Sequence, residues 1–186
     1  MDSVIPTLLL FAIGAGAIVV AAMAFSWWME PGRRALRTMA SRLGGLLDVA
    51  TTAPLRGQGV GLRISPPGIV VVRKAGDQGL VFGFEELSGV ELIFDGEVRA
   101  RAFRGEPRRP LDATHPRVSH VCVRLVFDDI RHPDFELVLR HPDDPGDLPA
   151  ADVEAARRLY AHLETVIRQT RSVAEVRTPP PVEDDD

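Results

Sequence analysis

Two copies of one tripeptide, His132-Pro133-Asp134 and His141-Pro142-Asp143, are the residues whose types come nearest to a metal-ligand set. Imidazole nitrogens and carboxylate oxygens suit zinc and its neighbours. Their spacing argues against a shared ion. Phe135, Leu137 and Leu139 alternate with Glu136 and Arg140, which predicts a strand between the two tripeptides. A strand of about eight residues holds its ends roughly 25 Å apart. Proline and aspartate at strand ends are ordinary turn residues. No metal and no cofactor are expected. Cys122, the single cysteine, sits between Val121 and Val123 and reads as a small strand residue with no disulfide partner in the chain. Gly57-Gln58-Gly59-Val60-Gly61 is glycine-rich, but a phosphate loop needs a strand before it and a helix after it. A strand follows instead, so the segment is expected to be a flexible lead into a domain. No serine sits in a nucleophile elbow. The residue chemistry gives no support to an enzyme.

Arginine is the other concentrated chemistry. Arg99, Arg101, Arg104, Arg108, Arg109 and Arg117 fall on one expected strand and the polar loop after it, diluted by Glu97, Glu106 and Asp112. Guanidinium groups pair well with carboxylates and phosphates, so the cluster is a candidate docking patch for anionic lipid or an acidic partner. The competing reading is a solvated face of local ion pairs. The acidic C-terminus, Glu183 to Asp186, offers itself as an internal mask for the patch. With 22 basic and 26 acidic residues, the net charge of −4 argues against bulk nucleic-acid binding.

These groups must be positioned by elements of a membrane-attached chain. From Ser3 to Met29 no charged residue or histidine interrupts an apolar run. A hydrocarbon core roughly 30 Å thick needs about 20 such residues in a helix, so an N-terminal transmembrane helix is expected. A signal peptide would begin with basic residues and be shorter. Arg33, Arg34, Arg37 and Arg42 follow the run, which places the N-terminus outside and the remainder in the cytoplasm, at the inner (plasma) membrane. Trp27 and Trp28 mark the membrane interface together with Arg33, Arg34 and Arg37. Ala12 and Gly16, or Ala17 and Ala21, have the small-xxx-small spacing that lets two spans pair, so a homodimer through the span is open. Leu36, Met39, Ala40, Leu43, Leu46 and Leu47 recur at helical spacing over 31–50, a juxtamembrane helix that could lie among lipid headgroups.

The rest alternates with period two. Strands are expected around Val60–Ile64, Ile69–Arg73, Leu80–Phe82, Val90–Phe94, Val98–Phe103, Val121–Phe127 and Phe135–Arg140. That makes about seven short antiparallel strands, paired as a meander, with Asp95-Gly96 as a hairpin turn. A helix with an apolar stripe (Val153, Ala156, Leu159, Tyr160, Leu163, Val166, Ile167) follows from Leu148 to Arg171. The divisions are a transmembrane anchor (1–30), juxtamembrane helix and linker (31–58), β domain with its helix (59–171) and disordered acidic tail (172–186).

This order, mainly β with a C-terminal α-helix, resembles bacterial membrane-tethered pleckstrin-homology-like domains, in which two sheets form a partly open β-barrel plugged by the last helix. Gly68-Ile69-Val70-Val71 and Phe82-Gly83-Phe84-Glu85-Glu86-Leu87-Ser88-Gly89-Val90-Glu91-Leu92 carry the resemblance. It implies a PH-like barrel over 59–171. The turn Ser65-Pro66-Pro67-Gly68 lacks the basic pair on strand one that phosphoinositide binders place there. The functional expectation is a single-pass membrane-anchored cytoplasmic binding or scaffolding module without catalytic activity. Its expected partners are the lipid bilayer and a membrane protein or acidic peptide. The alternative is an accessory subunit of a membrane transport or envelope complex, recognised through its transmembrane helix.

Overall fold

The uncharged run folds as one continuous helix, α1 (Val4–Met29). The computed structural model describes residues 4–29, 31–42, 44–74, 76, 79–108, 118–145 and 149–177, without the side chains of 4–12, 26–29, 31, 42, 149 and 171–177. Every described side chain of α1, Ile13 to Phe25, is exposed. Among the described residues no helix is long and apolar enough to cross a membrane; the described side chains of α1 cover only its middle.

Helix α2 spans Pro31–Arg42, with proline at the first position, where its missing N–H costs nothing. It is shorter than the helix expected over 31–50. Gly44 and Gly45 turn the chain with positive φ (86° and 158°), and the Gly45 N–H closes the end on the Ala40 carbonyl at 3.0 Å. The apolar stripe does not face outward to a headgroup layer. Leu36, Met39 and Ala40 are buried, and Leu36 and Met39 pack with Val70 and Val72 of the first sheet.

That sheet is a meander of β1 (Val49–Ala53), β2 (Gln58–Arg63), β3 (Gly68–Val72) and β4 (Leu80–Phe82). Among the described residues there are eight strands rather than about seven, because Val-Ala-Thr-Thr-Ala pairs antiparallel with β2, Val49 opposite Leu62 and Ala53 opposite Gln58. The expected domain start at 59 therefore cuts through a hairpin. The glycine-rich segment is not a flexible lead. Gly57 makes the left-handed turn (φ 61°), Gly59 is a strand residue under α2, and Gly61 is a strand residue under Leu47 in the segment after it. A Cβ at Gly59 would lie 2.8 Å from Leu36 Cδ1, one at Gly79 would lie 2.8 Å from Met39 Cγ, and one at Gly61 would overlap Leu47. Glycine here gives room for a helix to approach a sheet closely. All of β3 is buried: Ile69 and Val71 face the main core, Val70 and Val72 face α2.

The second sheet holds β5 (Leu87–Phe94), β6 (Glu97–Phe103), β7 (Val121–Phe127) and β8 (Asp134–Arg140) in the order β6-β5-β7-β8. The hairpin turn is as expected, with Asp95 and Gly96 both at positive φ (50° and 82°). The meander is not. β7 returns beside β5, with Phe94 opposite Val121, and leaves β6 at the edge. The pairing follows composition. β7 carries apolar residues on both faces and suits a central position, whereas β6 alternates arginine with alanine and suits an edge. Asp95 fixes the return: its Oδ1 accepts from the Ser119 N–H (2.9 Å), the Ser119 hydroxyl (2.8 Å) and the His120 N–H (2.8 Å).

The core fills the space between the inner sheet faces and α3 (Pro149–Arg177). Ala156, Leu159, Tyr160, Leu163, Val166 and Ile167 of α3 are buried, the stripe expected from the sequence. The helix continues to Arg177, so residues 172–177, expected in the disordered tail, are helical; residues 178–186 lie outside the described residues. Gln58 bonds the two sheets where β2 and β8 meet. Its Nε2 donates to the Glu136 carbonyl (3.2 Å) and its Oε1 accepts from the Val138 N–H (3.1 Å), as a neighbouring peptide group would.

Replacing Leu36 by alanine removes the largest apolar contact of α2 and should cost about 2–4 kcal/mol. Replacing exposed Arg34 should change stability by less than about 0.5 kcal/mol. Urea unfolding of the detergent-solubilised chain measures both, and equal values for the two variants would contradict this packing.

Candidate functional site

The arginine cluster is assembled on the edge strand β6 and the chain after it, and each described member meets an acid. Arg99 pairs with Glu97 (2.7 Å), Arg101 with Glu106 (3.3 Å), Arg104 with Asp128 (3.6 Å) and Arg108 with Glu164 (3.4 Å). Arg104 also donates to the carbonyls of Glu85 (2.6 Å) and Leu87 (2.7 Å), which makes it a brace for the start of β5. Arg109 and Arg117 lie outside the described residues. Beside the cluster, Arg124 of β7 donates to Glu91 of β5 (3.0 Å) and Glu136 of β8 (2.6 Å), a charge ladder that crosses three strands. Glu164 is the one buried charged residue among those described. It sits between Arg168 (2.8 Å) and Arg108. The local ion-pair reading thus describes this surface, although exposed pairs of this kind add little stability each.

The two His-Pro-Asp tripeptides lie at opposite ends of β8, as their spacing requires. His132 meets the Phe82 ring (centroids 6.5 Å apart). His141 meets His120 edge-on (6.0 Å), because β7 and β8 run antiparallel with Val121 opposite Arg140. No group of three or more histidine, cysteine or acidic residues able to hold a metal occurs among the described residues. Cys122 is buried, and burial pushes its thiol up to about 12, far from a reactive thiolate.

A half-buried, two-pronged pair joins the β1–β2 connection to the chain just after β8. Arg56 donates from both terminal nitrogens to Asp144 (2.9 and 3.0 Å). That bond holds the Asp144 carboxyl below the usual carboxylate range, against the opposing effect of burial. For Asp95, burial raises the pKa, but the hydrogen bonds from Ser119 and His120 outweigh it and the net shift is downward.

The residues expected at the membrane interface divide. Trp27 and Trp28 belong to α1, but their side chains lie outside the described set. Arg33 is half-buried on α2, while Arg34 and Arg37 are exposed. Arg33 and Arg37 rim a cleft of about 410 Å³ between α2 and the segment entering β1. Leu36, Ala40 and Ala50 line its floor, Leu46 and Leu47 its wall. Leu46 is 88% exposed there. The leucines of 31–50 recur at helical spacing, Gly44-Gly45 limits that helix, and the cleft lies where it ends. The pair Gly44-Gly45, followed by Asp48 and a β-prone Val-Ala-Thr-Thr, is the sequence signal that points to it.

No protein-family model matches the chain, and no curated protein or solved structure matches it either.

Two outcomes follow from these environments. Cys122 should resist alkylation at pH 8 in the folded protein and react once unfolded; rapid labelling of native protein would contradict its burial. A carboxyl whose folded pKa lies below its unfolded value contributes stability above about pH 4 and loses it as pH falls through the folded value. Stability should therefore drop below about pH 4, and Asp144→Asn should lose about 1–2 kcal/mol at pH 7 with a flatter acid limb. An unchanged acid limb in the variant would contradict the assignment.

Proposed function

We propose that this chain is a single-pass membrane-anchored binding or scaffolding module without catalytic activity. In this reading α1 crosses the inner membrane and the β domain stands on the cytoplasmic side. One observation carries it. α1 is a 26-residue helix without a charged residue, and its described side chains are exposed around the whole circumference. Apolar surface of that extent needs lipid or another protein to cover it. The basic residues immediately beyond, Arg33, Arg34 and Arg37, favour the cytoplasmic side for the β domain.

Two four-stranded antiparallel sheets closed by a C-terminal helix support the PH-like reading of the domain. The extra strand β1 and the return of β7 to β5 are departures from the simple order expected. Such a fold hosts many binding roles, so the partner must be argued from surfaces. An acidic peptide docking on the arginine cluster would have to displace Glu97, Glu106, Asp128 and Glu164 from their arginines. The cluster is therefore the weaker partner surface, and the bilayer-proximal face is the stronger.

The alternative, an accessory subunit of a membrane transport or envelope complex recognised through α1, is favoured by one detail. A Cβ added at Gly14 or Gly16 would meet nothing within 4 Å, so those positions are open to close approach by a partner helix or a second copy.

The full-length chain should stay with the membrane in alkaline carbonate, and its bulk should resist protease added outside sealed cells. Release by carbonate, or external digestion of the β domain, would overturn the proposal. Exchanging α1 for an unrelated apolar helix should leave partner recovery intact for a domain-based module, and abolish it for a subunit recognised through α1.

A further inference from the structure

We propose that the β domain rests on the inner surface of the bilayer through Leu55, at the tip of the β1–β2 connection. The inference rests on the reading of α1 as a membrane span and adds a second, apolar contact with the same membrane.

Leu55 is held out by a turn that is fixed on both sides. Pro54–Arg56 form a single 3-10 turn directly after the buried Ala53. Proline sets the first residue of the turn. The Gly57 N–H closes it on the Pro54 carbonyl at 3.2 Å, with Gly57 in the left-handed region. Arg56 then ties it to the second sheet through its two bonds to Asp144. Between these fixed points Leu55 is 66% exposed. A side chain on a rigid tip has already lost its backbone freedom, so little ordering entropy opposes its burial in a surface that meets it.

Position selects the bilayer as that surface. α2 runs along the first sheet in a defined direction. Leu36 stands over Gly59 near the start of β2, and Gly45, beyond the end of α2, lies over Arg63 at the end of β2. The start of α2 is therefore at the same end of the sheet as the Pro54–Arg56 turn, which lies beside the helix. Only Glu30 stands between α2 and the last residue of α1, Met29. The proposed span thus meets the domain at the end where Leu55 protrudes. The other protruding apolar residues of the turns, Ile64 and Ile130, are at the far end. Ile64 follows β2, and Ile130 lies between β7 and β8, across the seven-residue length of β8 from the Asp144 side, roughly 20 Å away.

Charge does not supply this contact. Arg56 is engaged by Asp144, and the exposed carboxylate of Asp143 shares this end. The tip offers an anionic headgroup layer no free attraction, and what it offers is a leucine. One leucine suffices because the span already confines the domain to the surface, which makes the second contact intramolecular.

The test attaches a nitroxide at Leu55→Cys, Ile64→Cys, Ile130→Cys or Val19→Cys, one at a time, in the full-length chain reconstituted into phosphatidylcholine vesicles. All four side chains are exposed, so none of the changes should unfold the domain, and the native Cys122 is buried. Power saturation compares collisions with oxygen, which concentrates in lipid, and with a water-soluble nickel chelate present on both sides. At position 55 oxygen should collide more often than the chelate, and at 64 and 130 the order should reverse. The two isoleucine positions carry the same label and so control for its own affinity for lipid. High salt, which screens charge, should leave the order at 55 unchanged. Chelate-dominated collisions at 55, as at 130, would overturn the proposal. So would a label at 55 shielded from both reagents, which would make another protein or a second copy the occupant, or a reversal at 55 in high salt. Position 19 reports the span separately. Lipid at 19 with water at 55 overturns the Leu55 contact alone, and water at 19 with lipid at 55 overturns the span alone.

Discussion

Close packing of one short helix against two glycines fixes α2 to the first sheet. α2 is the only element of the described structure between the exposed apolar helix and the β domain. It seats because Gly59 and Gly79 present no side chains where Leu36 and Met39 come down, while Gly61 leaves room for Leu47 in the segment that follows the helix. Val70 and Val72 complete the contact from the outer face of β3. Burying two side chains of this size contributes a few kcal/mol, roughly 1.5–3 kcal/mol each. That is a sizeable share of the roughly 5–15 kcal/mol by which a domain is stable. α2 is thus fixed to the first sheet by packing rather than trailing from it as a loose segment.

Charge is distributed in the opposite sense, inward onto itself. The outer face of the second sheet and the chain after β6 are laced by arginine–carboxylate pairs that leave few uncompensated guanidinium groups among the described residues. The buried Glu164 is held between two arginines, one on its own helix and one from the chain after β6. Such a surface repels little and attracts little.

Much of the β domain was legible because its signals are local. Asp95-Gly96 needs positive φ at both residues and gets it, and the alternation of β7 and β8 specifies which face is buried. The stripe of α3 was readable at helical spacing for the same reason. What escaped depends on partners distant in sequence. Val-Ala-Thr-Thr-Ala has too little apolar alternation to announce a strand and becomes one by pairing with β2. The place of β7 beside β5 rests on a carboxylate, Asp95, reaching Ser119 and His120 across the fold. The glycines of β2 looked like a loop because nothing in a linear pattern says that a helix lies over them. The arginine cluster was visible as composition, but its carboxylate partners Asp128 and Glu164 come from other elements.

The seat of α2 on the first sheet is the claim on which this account of the fold rests, and a cysteine pair tests it directly. Leu36→Cys with Gly59→Cys places two thiols across the contact, where the present separation from Leu36 Cγ to a Cβ at position 59 is 3.1 Å. Disulfides form when Cβ atoms approach within about 3.5–4.5 Å, and Cys122 is buried away from the reaction. In the full-length protein, mild oxidation should join the pair and lower the mass by about 2 Da, while Arg34→Cys with Gly59→Cys should not join. Failure of the first pair, or equal joining of both, would contradict a helix seated on the sheet.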